Sequence, residues 1–205
     1  TGGAKGITAE CAFGLAKATG ARMALVGSSP SGPGDAGRAI SRTLERYRAA
    51  GLACAYYQCD ITSSAATAAL VQRVARELGA VTGVIHGAAL NTPRRLEQAT
   101  ADEALREVAP KVRGAVNLCA ALAKTPLRMF TGLTSIIGIT GMPGNGWYGF
   151  SNEALDAVLA QYARRNPRTA VRTIAFSVWS DVGMGARMGS TDMLARMGIE
   201  AIPPA

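Results

Sequence analysis

The feature that most constrains the fold is a regular alternation of short apolar, β-rich runs with amphipathic stretches. The runs predict strands at 22–28, 53–59, 81–89, 128–135 and 170–178. Helix-compatible stretches lie at 6–19, 36–50, 64–78, 101–123 and 150–165. Such a chain builds βαβ units, in which helices cover parallel strands. We therefore predict an α/β protein: a Rossmann-like, doubly wound parallel sheet with helices on both faces.

The 205 residues are enough for one domain with a sizeable core. The chain opens on a glycine-rich turn, Thr1-Gly2-Gly3, with no strand before it, although a turn of this kind needs a strand to launch it. We infer that the first strand is absent from this sequence. Residues 1–205 are then a single catalytic domain, cut from a larger multidomain polypeptide.

Composition excludes several classes of protein. No apolar run approaches the roughly 20 residues that a membrane span needs, so we expect a soluble, cytoplasmic protein. The net charge is +8, but Lys and Arg are spread along the chain and aromatic residues are only 5%, which argues against nucleic-acid binding. An anionic cofactor or an acidic partner protein fits this charge better. Four cysteines without a C-x-x-C pair, and one His, indicate reduced thiols and no metal site.

The glycine turn precedes a helix-compatible run, and this order is typical of a dinucleotide site. Glycines let the backbone approach a pyrophosphate, and the helix N-terminus offers free N–H groups. The same turn could serve only to pack a helix on a strand, but its place at the first β-to-α junction favours cofactor binding. The residues predicted to bind cofactor here are Thr1, Gly2, Gly3, Lys5, Gly6 and Ile7.

The ends of the next two strands bear on which cofactor binds. The strand at 22–28 is followed by Ser28 and Ser29 and no carboxylate, and Lys5 sits where a 2′-phosphate could lie, so NADP(H) is favoured over NAD(H). A solvated Lys5 beside two loop serines is the alternative. Asp60 and Ile61 end the third strand, where Asp60 could meet the adenine amino group or cap the helix that starts near Ser63.

A possible proton-transfer site follows the fourth predicted strand. Ser135 ends that strand, Tyr148 comes thirteen residues later, and Asn152 four beyond it. A free tyrosine, with a pKa near 10, is a poor proton donor at neutral pH unless an ammonium lies nearby. We expect Lys111 to be that cation, because Pro110 should kink the predicted helix and turn Lys111 into a cleft. On pattern alone, a solvated surface lysine is the simpler interpretation.

The spacing of 24, 13 and 4 residues between Lys111, Ser135, Tyr148 and Asn152 resembles a known catalytic tetrad. It is similar to the Lys-Ser-Tyr-Asn set of ketoreductase domains from type I polyketide synthases, a branch of the short-chain dehydrogenase/reductase superfamily. In that branch the lysine and asparagine have exchanged places relative to the commonest pattern. The segments "VIHGAAL" (84–90), "APKVRGAVNL" (109–118) and "FSVWSDVGMGARM" (176–188) also resemble family motifs.

The resemblance implies a reaction and a role for each residue. Tyr148 would donate a proton and Ser135 would hydrogen-bond the carbonyl oxygen. Lys111 would lower the pKa of Tyr148 and contact the nicotinamide ribose, and Asn152 would orient the group. The implied reaction is NADPH-dependent reduction of a β-ketoacyl thioester, carried on the phosphopantetheine arm of an acyl carrier protein among neighbouring synthase domains. Further implied cofactor contacts are His86, Gly87, Ala88 and Val178.

The sequence also departs from the family. Thr8 stands where a further glycine is usual, and Ser28 and Ser29 replace frequent arginines. The segment 91–93 lacks one stereochemical signature and Thr140 lacks the other, which makes the chain resemble domains of iterative synthases, of the enediyne or polyunsaturated fatty-acid kind. Two other functions remain open: a free-standing reductase of a small carbonyl compound, and a catalytically silent scaffold domain.

Overall fold

A computed structural model describes residues 1–180, 183, 198 and 200–203. In this part of the chain the strands are β1 (Met23–Gly27), β2 (Cys54–Gln58), β3 (Gly83–His86), β4 (Met129–Ser135) and β5 (Ala170–Phe176). The α-helices are α1 (Gly6–Thr19), α2 (Asp35–Ala49), α3 (Ser64–Leu78), α4 (Ala101–Val108), α5 (Val112–Ala121), α6 (Ile137–Thr140) and α7 (Gly146–Arg165), with a 3₁₀ turn at Leu96–Gln98. The predicted α/β alternation is confirmed. Most of the segment 181–188, part of one family-like motif, lies outside the described residues.

The described strands form two parallel sheets, β1-β2 and β3-β4-β5. Thr1 and Gly2 lie between the facing edges of β1 and β3. The Thr1 nitrogen donates to the Ile85 carbonyl (2.6 Å), and the Gly87 N–H donates back to the Thr1 carbonyl (3.0 Å). The Gly2 N–H donates to the Val26 carbonyl (2.7 Å). These bonds hold the glycine turn at the carboxyl ends of both strands, where ligands bind in folds of this kind.

Helices pack on both faces of the β1-β2 sheet because successive strand residues point in opposite directions. Leu25 belongs to one buried cluster with residues of α1 and α2: Ala12, Ala16, Ile40 and Tyr47. Its neighbour Val26 belongs to another, with residues of α3 and of the loop before it: Leu70, Val74 and Ile61. The doubly wound arrangement predicted from the sequence is therefore confirmed.

The helix α7 packs closely on β4. Phe130 of β4 is fully buried with Leu155 and Leu159 of α7. A Cβ added to Gly132 would lie 2.6 Å from the Leu159 side chain, so this strand position needs glycine to admit the helix. The contact sets the first turn of α7 beside the carboxyl end of β4.

Two predicted boundaries were wrong in ways that affect the site. The stretch 101–123 is not one kinked helix: α4 ends at Val108 and α5 begins at Val112. Pro110 lies in the break, because it has no N–H to continue the helical ladder. The helix predicted at 150–165 starts at Gly146, four residues earlier than predicted, so Tyr148 is in its first turn. No helix in the described ranges is long and apolar enough to cross a bilayer.

Candidate active site

A cleft of about 740 Å³ opens along the carboxyl ends of the strands. Fifteen of the predicted residues line it: Thr1, Gly2, Lys5, Gly6, Ile7, Ser28, Ser29, Asp60, Ile61, Gly87, Ala88, Lys111, Ser135, Tyr148 and Val178. Three predicted residues lie behind its wall: Gly3, His86 and Asn152. The structure thus brings the glycine turn and the candidate catalytic side chains to one cleft.

The glycine turn has the geometry of a phosphate-binding cradle. Gly2 has φ +71°, and a Cβ there would lie 2.9 Å from the backbone of Gly87 and Ala88, so no side chain fits. The helix α1 starts at Gly6 without a side-chain cap on its first N–H groups. These groups and the helix dipole favour an anion in the cleft. Gly3 instead packs toward β1, where a Cβ on its backbone would lie 3.2 Å from the Leu25 side chain.

The loop after β1 is held from below by β2. The Ser29 carbonyl accepts a hydrogen bond from the Tyr56 hydroxyl (2.6 Å), and the Ser28 carbonyl accepts one from the Gln58 amide (3.3 Å). Both serines line the cleft, and Lys5 is exposed on the same cleft. The wall beside this loop therefore carries hydroxyls and a cation.

Asp60 lines the cleft and does not cap α3. Its carboxylate accepts hydrogen bonds from the Thr62 N–H (2.9 Å) and hydroxyl (2.8 Å). Ser63 is the N-cap of α3 and accepts from the Ala66 N–H (3.3 Å). The capping alternative for Asp60 is therefore wrong, because Ser63 performs that role.

His86 is fully buried behind the cleft and connects two parts of the site. Its Nε2 lies 2.8 Å from the Lys111 carbonyl, and since a carbonyl only accepts, Nε2 carries the hydrogen. The Thr1 hydroxyl then donates to Nδ1 (2.7 Å). Burial lowers the pKa of His86 to about 3, so the ring is neutral. His86 thus links the glycine turn to the backbone of Lys111 and does not form the cleft surface.

Lys111 is buried, so the interpretation as a solvated surface lysine does not hold. Only 3% of the residue is exposed. Its Nζ donates to the Leu133 carbonyl (2.9 Å) and to Asn152 Oδ1 (2.7 Å). Burial lowers the pKa of Lys111 to about 8, and the charge of Asp156 acts in the opposite direction.

The pKa of Tyr148 is raised, which corrects the expectation that Lys111 would lower it. Burial is the main cause and the charge of Glu107 adds to it, whereas the side chains of Ser135 and Asn152 act against the shift. The Lys111 Nζ lies over the phenol ring, 5.6 Å from its centroid, and donates to Leu133 and Asn152. The ammonium is therefore not bonded to the phenol oxygen.

Ser135 lines the cleft, whereas Asn152 is buried behind it. Ser135 ends β4 on the cleft wall, and its hydroxyl oxygen accepts from the Ile137 N–H (3.3 Å). Asn152 is fully buried; its Nδ2 donates to the Tyr148 carbonyl (2.7 Å) while its Oδ1 accepts from Lys111. Asn152 thus fixes the lysine relative to the first turn of α7.

Two carboxylates near the site were missed from the sequence. Glu107 is 5% exposed, accepts from the Thr92 N–H (3.4 Å), and has a pKa raised by burial. Asp156 has one carboxylate oxygen that is buried without a partner. For Asp156 the available signal was its spacing of four residues from Asn152 on one helix. Glu107 also precedes Lys111 by four, but the break at Pro110 lies between them. Within the described residues, no group of three or more His, Cys, Asp or Glu side chains could hold a metal.

Comparison with known proteins gives the family. Residues 1–181 match the KR domain model. The chain is 34% identical over 148 residues to polyketide synthase GfsA of Streptomyces halstedii, covering 71% of this chain and 2% of that protein. It is 28% identical to a polyunsaturated fatty acid synthase from a Thraustochytrium species, over 81% of this chain and 6% of the relative.

The fold matches solved structures over nearly the whole chain. One is a ketoreductase from the first module of phoslactomycin biosynthesis in a Streptomyces species, with TM-score 0.87 and 28% identity, covering 98% of this chain and 45% of that one. The chain spans only a small fraction of the curated relatives it matches. With its parallel sheets, glycine turn and buried Lys111–Asn152–Tyr148 group, the chain belongs to the KR domain family, within the short-chain dehydrogenase/reductase fold.

Proposed function

We propose that this chain is an NADPH-dependent β-ketoreductase domain of a polyketide synthase. Its substrate is a β-ketoacyl thioester on the phosphopantetheine arm of an acyl carrier protein, and its product is the β-hydroxyacyl thioester. The observation that carries the proposal is the meeting of Tyr148, Ser135 and Lys111 on the wall of the cleft that the glycine turn also lines. One ligand in this cleft can touch both the anion cradle and the phenol.

The proposed chemistry divides between cofactor and protein. The bound nicotinamide supplies a hydride to the carbonyl carbon. The protein has to supply one proton to the carbonyl oxygen. Tyr148 carries its proton at neutral pH, since burial raises its pKa, and it can release that proton when a nearby cation stabilises the phenolate. Ser135, on the same wall, is placed to donate a hydrogen bond to the substrate oxygen.

Lys111 has a separate task once the proton has left. An ammonium has three donors, and two of them go to Leu133 and Asn152, which leaves one N–H for the nicotinamide ribose. Its charge lies 5.6 Å from the phenol centroid, close enough to stabilise the phenolate that proton transfer creates. Asn152 holds the lysine in this position.

The role of Tyr148 can be tested by turnover of a β-ketoacyl thioester, measured as the loss of NADPH absorbance. Tyr148→Phe should reduce kcat by about 10²–10⁴-fold, the usual contribution of a positioned proton donor, and leave NADPH affinity nearly unchanged. Tyr57→Phe is the matched control, since its hydroxyl bonds Glu77 away from the cleft. A Tyr148→Phe variant with wild-type turnover refutes the assignment.

The preference for NADPH rests on the wall next to the β1 loop. No carboxylate follows β1 to repel a 2′-phosphate, and Lys5 is exposed on the cleft. Fluorescence titration should give tighter binding of NADPH than of NADH, and Lys5→Glu should narrow the difference, whereas the exposed Lys124→Glu should not. Equal affinity for the two cofactors in the wild type overturns the preference.

The carrier protein, the neighbouring synthase domains, the iterative type of synthase and the cytoplasmic location remain predictions. The net charge of +8 suits an acidic carrier. The KM for a carrier-bound substrate should therefore rise with salt, while that for a small thioester should not. Better turnover of small ketones than of carrier-bound thioesters would favour a free-standing reductase, and failure to bind NADPH would favour a silent scaffold domain.

A further inference from the structure

One face of α7 carries three polar residues at helical spacing: Tyr148, Asn152 and Asp156. Residues four apart lie above one another on a helix, so Asp156 follows Asn152 along the same side. Asn152 is fully buried and its Oδ1 accepts from the Lys111 ammonium at 2.7 Å. The neighbouring Leu155 and Leu159 are also buried, against β4. Asp156 therefore lies on the side of α7 that faces Lys111.

The Asp156 carboxylate is only partly satisfied. Its Oδ1 is shielded from solvent and has no hydrogen-bond partner. A buried carboxylate oxygen without a partner is costly, and buried charges are normally paired with an opposite charge. The position calls for a nearby cation to offset this cost.

Among the described residues, the buried ammonium of Lys111 has no negatively charged hydrogen-bond partner. Its two acceptors, the Leu133 carbonyl and the Asn152 amide oxygen, are both neutral and do not compensate a buried positive charge. Around it, His86 on β3 is neutral, with a pKa lowered by burial to about 3, and Tyr148 on α7 is a protonated phenol. Glu107, near the end of α4, exerts its charge on Tyr148. The charge that favours the ammonium form of Lys111 is that of Asp156.

We propose that Asp156 is a positioning residue whose partly buried carboxylate keeps the Lys111 side chain in its charged form inside the active site. It acts through Lys111 and does not touch the reacting atoms. The proposal deepens the proposed ketoreductase function, because only a charged Lys111 can stabilise the Tyr148 phenolate. Burial alone favours a neutral lysine, so the charge on Lys111 depends on the Asp156 carboxylate.

The charge on Lys111 can be measured without cofactor or substrate. Carbon-13 NMR of labelled lysine, with the Lys111 signal assigned by its loss in Lys111→Met, should give a titration midpoint near the pKa of about 8. Asp156→Asn should lower this midpoint by about one pH unit, the effect expected from loss of one nearby opposite charge. Glu153→Gln is the matched control, since it removes an exposed carboxylate from the same helix and should leave the midpoint unchanged.

A folded Asp156→Asn protein with the wild-type midpoint overturns the proposal. If Asp156→Asn does not fold, Asp156→Ser carries the same test, because a small hydroxyl leaves room for water at the buried site. The kinetic consequence separates this proposal from the reductase assignment. Asp156→Asn should approach wild-type activity near pH 6 and fall about fivefold below it near pH 8, where most of the variant's Lys111 would have lost its proton. A moved midpoint in a protein without ketoreductase activity refutes the proposed function alone.

Discussion

Replacing Lys111 by Met should change how the folding stability of this chain depends on pH. The pKa of Lys111 falls from its ordinary 10.5 to about 8 because the side chain is buried. Each pKa unit corresponds to about 1.4 kcal/mol, so keeping the ammonium in the fold costs about 3 kcal/mol at neutral pH. The folded pKa is the lower one, so the unfolded chain binds more protons between about pH 8 and pH 10.5. Stability should therefore rise with pH in that window.

Urea unfolding of wild type and Lys111→Met at several pH values measures this effect. From about pH 8 to about pH 10 the wild type should gain about 2 kcal/mol relative to the variant. The absolute difference is a poorer test, because Met leaves the Leu133 carbonyl and Asn152 Oδ1 without a donor, at a cost that does not vary with pH. Lys124→Met changes an exposed position, so its free energy of unfolding should vary with pH in the same way as that of the wild type. If the free energies of unfolding of Lys111→Met and the wild type vary with pH in the same way, Lys111 is not a buried cation with a lowered pKa.

Three further predictions concern other buried groups. Glu107→Gln should lower the pKa of Tyr148 in a carbon-13 tyrosine titration, because the Glu107 charge raises it, whereas the exposed Asp102→Asn should not; an unmoved Tyr148 would exclude Glu107 as a cause. His86, the only histidine, should show no imidazole titration between about pH 7 and pH 5, since burial lowers its pKa from 6.5 to about 3. The neutral ring stabilises the fold above pH 6.5. The free energy of unfolding should therefore fall by about 2 kcal/mol by pH 5, as His86 of the unfolded chain takes up a proton. Gly87→Ala should weaken NADPH binding because its Cβ would clash with the Thr8 hydroxyl, and Thr8→Gly in the same chain should restore binding; a double variant that still binds weakly would show that the clash lies elsewhere.

The parts of the fold that follow short-range rules were predictable from the sequence. Hydrophobic periodicity placed α1 and α3 at their observed bounds and the five strands close to theirs. Parallel strands present their carboxyl ends at one edge, so Ser28, Asp60 and Ser135 could be assigned to one cleft from their places in the pattern alone. Glycines with positive φ, such as Gly2, carried the turn.

The errors arose where a property depends on packing between distant segments. The break at Pro110 looks like a kink in the sequence, because a proline does not reveal whether the helix resumes in the same direction. The pKa of Tyr148 depends on how deeply α7 buries the phenol and on Glu107, which approaches from another helix. The spacing of Glu107 and Lys111 was visible, but four residues across a broken helix do not define one face.

Lys111 lies at the start of α5 and not on the helix that carries Tyr148, which explains why the candidate site needs residues that do not line the cleft. A lysine on the same helix as Tyr148 would be placed by that helix, but Lys111 comes from the start of α5 and must be fixed from several directions. His86 holds its carbonyl (2.8 Å), and Asn152 Oδ1 holds its ammonium (2.7 Å). Since His86 also bonds the Thr1 hydroxyl (2.7 Å), and Asn152 bonds the Tyr148 carbonyl (2.7 Å), an unbroken series of contacts runs from the glycine turn to the backbone of Tyr148. Thr1 and Tyr148, which lie 147 positions apart in the sequence, are thereby held in a fixed position relative to each other. The proposed cofactor, which would contact both, requires such a fixed geometry.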